Sequence, residues 1–416
     1  MLNTYQSFYA KAVCWSCLLI PSLLLTTPNF SVLVIGFMIL ASIGYLVRHD
    51  YKAQFKRFDK IVIFCLAWYF IGAIPITILD GETGRYFQGG ARLLAAIPVY
   101  LALSDLHKHE IIPLRKYLEI GIILGSIGTF ILAIYQFFFL SMERVDGFLY
   151  SINFGYLACS LAFLSLSLSI TSPNKILLVI SSCLGLVSVV LTFTRGAIFA
   201  VPLLLVLFFV LNANRIKAKW VIVCFVAALS ICVLSYQNSS SIKNRIDFTV
   251  YEFSSIANGN INNAVSSGDR LQYWLGAIEA FKQSPTFGLS FRERQQLNHQ
   301  LFLENKIGER ASKVQRGHAH SQYFELIASN GALGIITIMT SLFIPLILMI
   351  RHYRKTSSDW AFSGSVFVSG FIIFGLTEVL LTANLIGFFY GFMLSIFFAQ
   401  ISVERNAANI KSTGAS

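Results

Sequence analysis

Charged residues are scarce in this sequence, and the shortage limits the kind of protein it can encode. Aspartate, glutamate, lysine and arginine together make up 12% of the 416 residues, whereas hydrophobic residues make up 56%. Soluble domains contain about 25% charged and about 45–50% apolar residues. The composition therefore excludes a soluble globular protein and a disordered one, and it favours membrane spans of about 20 apolar residues each.

Cysteine is absent outside the apolar runs. All seven cysteines lie within such runs, where they act as small hydrophobic residues, so the sequence excludes a disulfide scaffold and does not indicate a redox compartment. Internal repeats of about 20–50 residues, proline-rich tracts and coiled-coil heptads are also absent. No small-residue cleavage site follows the first apolar run, which predicts an uncleaved first span.

Twelve apolar segments are predicted to span the membrane. They lie at 12–26, 30–47, 61–79, 92–104, 117–140, 152–171, 176–193, 196–213, 220–236, 321–350, 360–379 and 383–402. Residues 176–213 would be too long for one span and contain a charge near their middle. The sequence therefore predicts a break between two spans close to Arg195.

The distribution of basic residues predicts the orientation. With the N-terminus in the cytoplasm, eighteen lysines and arginines fall in cytoplasmic segments and four in short outer loops, namely Arg85, Arg92, Arg144 and Arg195. Cytoplasmic loops carry the excess of positive charge in membrane proteins, so both termini are predicted inside. The basic residues of the cytoplasmic loops account for much of the net charge of +12, so this charge does not indicate a nucleic-acid partner, and none is expected.

These features predict an all-α polytopic membrane protein with about twelve transmembrane helices. Residues 1–236 would contain the first nine spans, and residues 237–319 would form a large helical loop on the outer face. Residues 320–402 would contain the last three spans, and residues 403–416 would form a cytoplasmic tail. A loop as long as 237–319 is often functional.

The outer loop contains the pattern of an amphipathic helix. Its apolar positions are Leu271, Trp274, Leu275, Ile278 and Phe281. Asp269 is predicted to cap the helix, with Gln272 three residues later as in a capping box, and Ser284-Pro285 is predicted to end it. The stripe favours a helix that lies on the membrane surface, with its tryptophan at the headgroup level.

Two arginines occupy positions that are unfavourable without a partner. Arg270 falls in the first turn of the loop helix, where a cation opposes the helix dipole. Either an anion docks at this helix terminus, or Arg270 is solvated or paired with Asp269. Arg195 interrupts an apolar run, which indicates either a functional charge or an arginine that snorkels to the outer interface.

Two histidines, His318 and His320, lie at the mouth of the tenth span in the segment Gly317-His318-Ala319-His320-Ser321. Histidine is a general base near neutral pH. The pair is also compatible with a metal site, for which the nearest carboxylate is Glu325, or with histidines that are merely hydrogen-bonded at the interface.

Weaker candidates complete the set. Arg85 and Arg92 flank a pair of glycines at an outer span mouth, and Glu378 lies near the outer end of the eleventh span. The positions of Arg92 and Glu378 are costly for a charge. Arg292 and Arg294, in contrast, are predicted to be solvated.

Three motifs in this order resemble the O-antigen ligases of lipopolysaccharide assembly, within the wider family of ligases, O-antigen polymerases and O-oligosaccharyltransferases. Thr192-Phe193-Thr194-Arg195 resembles the family's T/S-R element. Gly268-Asp269-Arg270-Leu271, followed by Lys282-Gln283-Ser284-Pro285, resembles its loop helix with a K-S-P-like end. His320-Ser321, followed by Gly331 and Gly334, fits the pattern H-[NSQ]-x9-G-x-x-[GTY]. The predicted topology agrees with the family along most of the chain.

The resemblance implies a GT-C-like membrane glycosyltransferase in the bacterial inner membrane, with its active site on the periplasmic face. It implies transfer of a glycan from undecaprenyl diphosphate to a sugar hydroxyl of lipid A–core, without a metal or another cofactor. By the same resemblance His320 is the base, and Arg195 and Arg270 bind the diphosphate. His318, Arg92 and Glu378 are possible accessory residues. The alternatives are an O-antigen polymerase and, from a different class, a transporter or flippase of lipid-linked glycans.

Overall fold

The computed structural model describes residues 4–49, 51, 55–108, 112–213, 237 and 240–413. Helices account for the regular structure of this part of the chain, and no strand occurs among these residues. The α-helices are α1 Thr4–Leu23, α2 Phe30–Arg48, α3 Arg57–Gly72, α4 Ile74–Asp80, α5 Phe87–Leu94, α6 Ile97–Leu106, α7 Leu114–Ile134, α8 Ser151–Ser169, α9 Lys175–Leu191, α10 Arg195–Leu211, α11 Ser240–Ala257, α12 Ser267–Gln283, α13 Phe291–Leu303, α14 Glu309–Ser312, α15 Gln322–Ile338, α16 Ile344–Thr356, α17 Asp359–Phe374 and α18 Asn384–Thr413.

Seven helical segments of the described chain are long and apolar enough to cross a membrane. They are Phe30–Arg48, Arg57–Asp80, Gly84–Leu106, Leu114–Phe139, Ser151–Ser169, Gln322–Thr356 and Asn384–Ala407. Helices α9, α10 and α17 are apolar but shorter. The predicted fold class, an all-α polytopic membrane protein, is confirmed. The count of twelve spans stays a prediction, and the predicted ninth span, 220–236, lies outside the described residues.

The predicted break near Arg195 is confirmed. Helix α9 ends at Leu191, and α10 begins at Arg195 itself, with Thr194 as its N-cap. The turn between them is sharp because Phe193 adopts a left-handed φ of 48°. A non-glycine residue in this region is uncommon and marks a constrained turn. The constraint places Arg195 at the end of the bundle, in the first turn of its helix.

Small residues let the first helices approach closely. A side chain at Gly121 or Gly125 of α7 would collide with the backbone carbonyl oxygens of Leu18 and Pro21 in α1. Small residues four apart allow this kind of helix contact in membranes. The helices then bury a continuous apolar core that extends to Phe397 and Phe398 of α18.

The outer loop has a small core of its own, formed by Ala277, Ala280, Leu297, Leu301, Ile307, Ala311, Ala319 and Ala328. Helix α12 ends at Gln283, directly before Ser284-Pro285, as predicted. Its buried face includes Gly276, Ala277 and Ala280, whereas Leu271 and Ile278 of the predicted stripe are 37% and 38% exposed. Leu275, in contrast, packs against the loop core. Only part of the stripe is therefore exposed, and its contact with the membrane surface stays a prediction.

The predicted capping box of α12 is wrong. The helix begins at Ser267, two residues before Asp269, so Asp269 lies inside its first turn and does not cap it. The Asp269 carboxylate instead accepts from Nη2 of Arg310 at 3.3 Å. The Gln272 side chain binds the backbone N–H of Gly308. Long-range partners in the folded loop have replaced the local cap.

We expect Gly125→Val to destabilise the protein, because the new side chain would meet a backbone carbonyl that cannot rotate away. Overpacking of this kind costs about 1–3 kcal/mol. The matched control is Gly36→Val in α2, where a side chain meets no atom within 4 Å. Thermal unfolding of the two variants in detergent measures the difference. Equal unfolding temperatures would contradict the close contact between α1 and α7.

Candidate active site

One irregular segment, residues 375–383 between α17 and α18, gathers side chains from distant parts of the chain. The carbonyl oxygen of Gly375 accepts from Oγ of Ser321 at 3.1 Å and from the backbone N–H of Gln322 at 2.8 Å. The carbonyl oxygen of Thr377 accepts from Nη1 of Arg270. Because this segment is not helical, its carbonyl groups are available to these partners.

The same segment supplies a carboxylate to His320. Nδ1 of His320 lies 3.4 Å from Oε2 of Glu378, and the side chain of His320 is 36% exposed. Burial favours a raised pKa for Glu378, but the contact with His320 and the backbone N–H of Val379 outweigh it, so the pKa lies below its ordinary value. An ionised Glu378 favours the tautomer of neutral His320 that carries its proton on Nδ1, in which Nε2 has the free lone pair.

His318 lies directly beside this pair. Its ring is 4.4 Å from that of His320, and its Nδ1 accepts from the backbone N–H of His320 at 3.2 Å. Burial lowers the pKa of His318, so this ring is held in its neutral form. One ligand atom from each of His318, His320 and Glu378 lies within 4.8 Å of the others, a spacing that a metal ion would also accept.

Arg270 lies one helical turn from the start of α12, and its guanidinium reaches Thr377, the neighbour of Glu378. The predicted alternative of a salt bridge to Asp269 is wrong, since the carboxylate of Asp269 pairs with Arg310. Three residues later on α12, the ring of Tyr273 lies 5.4 Å from that of His320. Arg270 and His320 therefore contact adjacent residues of the 375–383 segment, Thr377 and Glu378.

Arg195 is held by a carboxylate that the sequence analysis missed. Its Nη1 lies 2.5 Å from Oε2 of Glu252, which is fully buried, and 3.1 Å from Oγ of Ser267. The other oxygen of Glu252 accepts from the backbone N–H of Ser266 at 2.6 Å. The start of α12 thus already has an internal anion at the place where a bound anion was predicted. The contact with Arg195 keeps the pKa of Glu252 below its ordinary value although burial opposes this.

Three positions of α12, Ser267, Arg270 and Tyr273, form what we call the site face. Ser267 contacts Arg195, Arg270 contributes its own guanidinium, and Tyr273 contacts His320. Three residues of helix advance about 4.5 Å along the axis, so the two arginines and the histidine follow one another at successive turns. Gly196 lets the start of α10 approach the 375–383 segment closely, because a side chain at this position would collide with the hydroxyls of Tyr156 and Thr377.

Arg294 was predicted to be solvated, and this prediction is wrong. Only 2% of its side chain is exposed, and Nη1 and Nη2 lie 2.7 Å and 3.1 Å from the two oxygens of Glu325. Nη2 also donates to the carbonyl oxygen of Gly317, and Glu325 accepts from the backbone N–H of Ala319 at 2.8 Å. The ion pair therefore fixes the segment that carries His318 and His320.

A signal for this ion pair was present in the sequence. Arg294 shares a helical face with Leu297, Asn298 and Leu301, all of which are buried. A charge on the apolar face of an amphipathic helix indicates a buried partner. Arg292, two residues earlier, agrees with the prediction of a solvated side chain, because it is 70% exposed and makes a 3.3 Å contact with Glu82.

The glycine of the histidine motif has a structural explanation. Gly331 adopts a φ of 57° and a ψ of −135°, which interrupts α15, and a side chain there would collide with Pro285 and Thr286. The next residue, Ala332, donates its N–H to the carbonyl oxygen of Pro285 at 2.8 Å. The end of the loop helix therefore docks into the break of α15, so that two of the three motifs are in direct contact.

The remaining candidates lie at the edge of this region. Arg92 donates to the carbonyl oxygen of Thr382 at 2.7 Å and to Oδ1 of Asn384 at 3.3 Å, so it reaches the far end of the 375–383 segment. Arg85 is exposed, and the structure brings it to none of the other candidates.

The fold and the site define a helical multi-pass membrane protein in which a histidine–carboxylate pair and two arginines lie along one face of α12. Residues 180–339 match the family model described as O-antigen ligase. These residues include all three motifs, so the resemblance is confirmed over this part of the chain. The family supports a function in O-antigen processing during lipopolysaccharide biosynthesis, of the ligase or polymerase type.

Of two curated relatives, one carries the same description as the family model and the other is described without a function. An O-antigen ligase of Escherichia coli K12 is 24% identical over 213 residues, which cover 51% of this chain and 48% of the relative. A protein of Haemophilus influenzae, described as an uncharacterized protein, is 23% identical over 325 residues, which cover 76% of this chain and 79% of the relative.

We expect Arg294→Met to destabilise the protein by about 3–5 kcal/mol, because it leaves the carboxylate of Glu325 buried without its counter-charge. The double variant Arg294→Met with Glu325→Leu should recover much of this loss, since it removes both charges. Chemical unfolding followed by tryptophan fluorescence provides the measurement.

The matched control is Arg292→Met, which removes an exposed ion pair worth about 0–1 kcal/mol. If Arg294→Met were no more harmful than this control, the buried pair would not hold the histidine segment.

Proposed function

We propose that this protein is an O-antigen ligase, which transfers O-antigen polysaccharide from undecaprenyl diphosphate to a sugar hydroxyl of lipid A–core. The single observation that carries the proposal is the site face of α12, along which Arg195, Arg270 and His320 follow one another at successive turns. This order suits the donor, because the two arginines can contact the diphosphate while the base lies beside the sugar that is transferred.

The two arginines stabilise the leaving group. The anomeric carbon of the donor bears a diphosphate, and the bond between this carbon and the phosphate oxygen breaks as the glycan is transferred. Negative charge then grows on the departing diphosphate, and guanidinium groups with fork geometry match its oxygens. The diphosphate leaves as undecaprenyl diphosphate, and its release supplies the driving force without a nucleotide.

His320 acts as the base. The acceptor hydroxyl loses its proton to Nε2 of His320 while its oxygen bonds to the anomeric carbon, and a single displacement inverts the configuration at that carbon. Glu378 fixes the ring by accepting a hydrogen bond from Nδ1–H and stabilises the imidazolium that forms. His318 is an accessory residue whose neutral ring does not repel the proton that His320 receives.

The position of the site suits a lipid-linked donor and a lipid-linked acceptor. Arg195 begins the apolar helix α10, and His320 lies two residues before the start of α15. Both positions support a site at the border of the hydrocarbon region in which both lipid tails stay. We propose that this border is the periplasmic face of the inner membrane and that the reaction is metal-independent. Chelators should then leave transfer unchanged.

The ligase is preferred to the closely related polymerase because one relative is named an O-antigen ligase and the matching family model has the same description. A polymerase would use the same donor but a second carrier-linked glycan as the acceptor. A transporter or flippase of lipid-linked glycans is the alternative from another class. It would move the donor across the bilayer without making a covalent product.

We expect His320→Ala to abolish transfer of glycan from the lipid-linked donor to lipid A–core by purified protein, while the variant still folds. Glu378→Gln should lower kcat by about 10²-fold with little change in KM, because it affects a proton transfer and not donor binding. This difference should persist across neutral pH, where the lowered pKa of Glu378 keeps its carboxylate charged.

The control for this experiment is His299→Ala, which removes an exposed histidine of the same loop. Near-normal turnover of His320→Ala would refute the assignment of the base. Product formed only when a second lipid-linked glycan is the acceptor would identify a polymerase. Movement of the donor without any covalent product would identify a transporter.

We expect Arg195→Lys and Arg270→Lys to impair transfer severely although each keeps its positive charge, because an ammonium cannot form the bidentate contact of a guanidinium. A loss of about 10²-fold in kcat/KM corresponds to one charge-assisted interaction in the transition state. The conservative control is Arg292→Lys at an exposed position of the same loop. Activity equal to that of this control would exclude the two arginines from diphosphate binding.

A further inference from the structure

Three arginines that are distant in the sequence come together beside the site face. This arginine cluster consists of Arg144, before α8, Arg195, at the start of α10, and Arg245, in α11. Nε of Arg144 donates to the carbonyl oxygen of Thr192 at 3.0 Å, and its Nη2 donates to Oγ1 of Thr194 at 3.3 Å. Arg144 is therefore anchored on the turn that carries Arg195.

One aromatic ring connects the other two members. The guanidinium carbons of Arg195 and Arg245 lie 5.5 Å and 5.9 Å from the ring centroid of Phe248. Each contact is within the range of a cation–π attraction. The ring holds two like charges near each other, although their mutual repulsion opposes this arrangement.

The pKa values of the arginines indicate an excess of positive charge in the cluster. The pKa values of Arg144 and Arg245 are lowered, first by burial and then by the nearby charge of Arg195. Glu252 is the carboxylate that partly offsets this effect at Arg245. Its oxygens, however, already accept from Nη1 of Arg195, from the N–H of Ser266 and from Oγ of Ser267.

Two buried donors of the cluster are unsatisfied within the described part of the chain. Nη2 of Arg195 and Nε of Arg245 are both buried, and neither has a hydrogen-bond partner there. Buried N–H groups are almost always paired in native proteins, and charged ones are the most costly to leave unpaired. A tetrahedral oxyanion would satisfy both donors and neutralise the repulsion at the same time.

We infer that the arginine cluster is a phosphate subsite in which Arg144 and Arg245, together with Arg195, bind the phosphate that is attached to the prenyl chain of the donor. This inference rests on the proposed function, because it takes the donor to be a prenyl diphosphate. It adds Arg144 and Arg245 to the substrate-binding residues and gives the two phosphates separate positions.

The assignment of the prenyl-side phosphate follows from the site face. Arg195 contacts Ser267 at the start of α12, Arg270 lies one turn later, and His320 contacts Tyr273 after a further turn. His320 must lie beside the sugar that is transferred, so the phosphate next to the sugar lies at Arg270. The second phosphate then lies at the arginine cluster, which is farther from the base.

Direct lipid binding tests this inference without requiring catalysis. Purified full-length protein is titrated with undecaprenyl diphosphate, undecaprenyl phosphate or phosphatidylglycerol, and bound lipid is measured by native mass spectrometry. Arg245→Gln should lower the affinity for both undecaprenyl lipids by about tenfold, because both carry a phosphate on the prenyl chain. Arg270→Gln should lower the affinity for undecaprenyl diphosphate only. Lys243→Gln, which removes an exposed charge two residues from Arg245, is the matched control and should change neither.

Arg144→Gln is the second variant and should reproduce the pattern of Arg245→Gln. The inference is overturned if Arg245→Gln binds both undecaprenyl lipids as the control does, or if it weakens the diphosphate alone. An equal loss of phosphatidylglycerol binding would also overturn it, because the cluster would then be a general headgroup site. Failure of the proposed function looks different: wild-type protein would show the expected lipid pattern but no glycan transfer.

Discussion

A guanidinium group at the edge of a membrane is costly unless its N–H groups are paired, and the 375–383 segment provides much of that pairing. Its carbonyl groups accept from Arg270 at one end and from Arg92 at the other. It also binds the first residues of α15 and supplies Glu378. Irregular backbone in a membrane protein is tolerated where it is buried in protein, and the following helix α18 is well packed, with 83% of its most apolar stretch buried.

Much of the fold was accessible from the sequence because its main determinant is local. Apolar runs of sufficient length become helices in a membrane, where each backbone group must be paired within its own segment. The break at Arg195 was also accessible, since a charge within an apolar run of that length has no other stable position. The limits of the fourth segment were less accessible. There Pro98 near the start of α6 divides one predicted span into shorter helices.

Candidate site residues with local sequence signals were easier to predict than candidates whose partners are distant in the chain. Arg195, Arg270 and His320 belong to motifs of adjacent residues, and the structure brings all three to the site face. The sequence analysis did not identify Glu252 and wrongly predicted a solvated Arg294. The ion pairs of these residues involve partners that are 57 and 31 residues away in the chain. The capping box at Asp269 failed for the same reason. A local rule predicted its partner, but the folded loop offered a better one in Arg310.

Helix α12 has a second role through its other face. Ala277 and Ala280, on a buried face of the helix, belong to the core of the outer loop together with Leu297 and Leu301 of α13. A rigid displacement of α12 would consequently separate both arginine contacts and the histidine contact in one movement and strain that core as well. A substitution in the loop core that shifts α12 would therefore disturb all three contacts together, although it lies outside the site face.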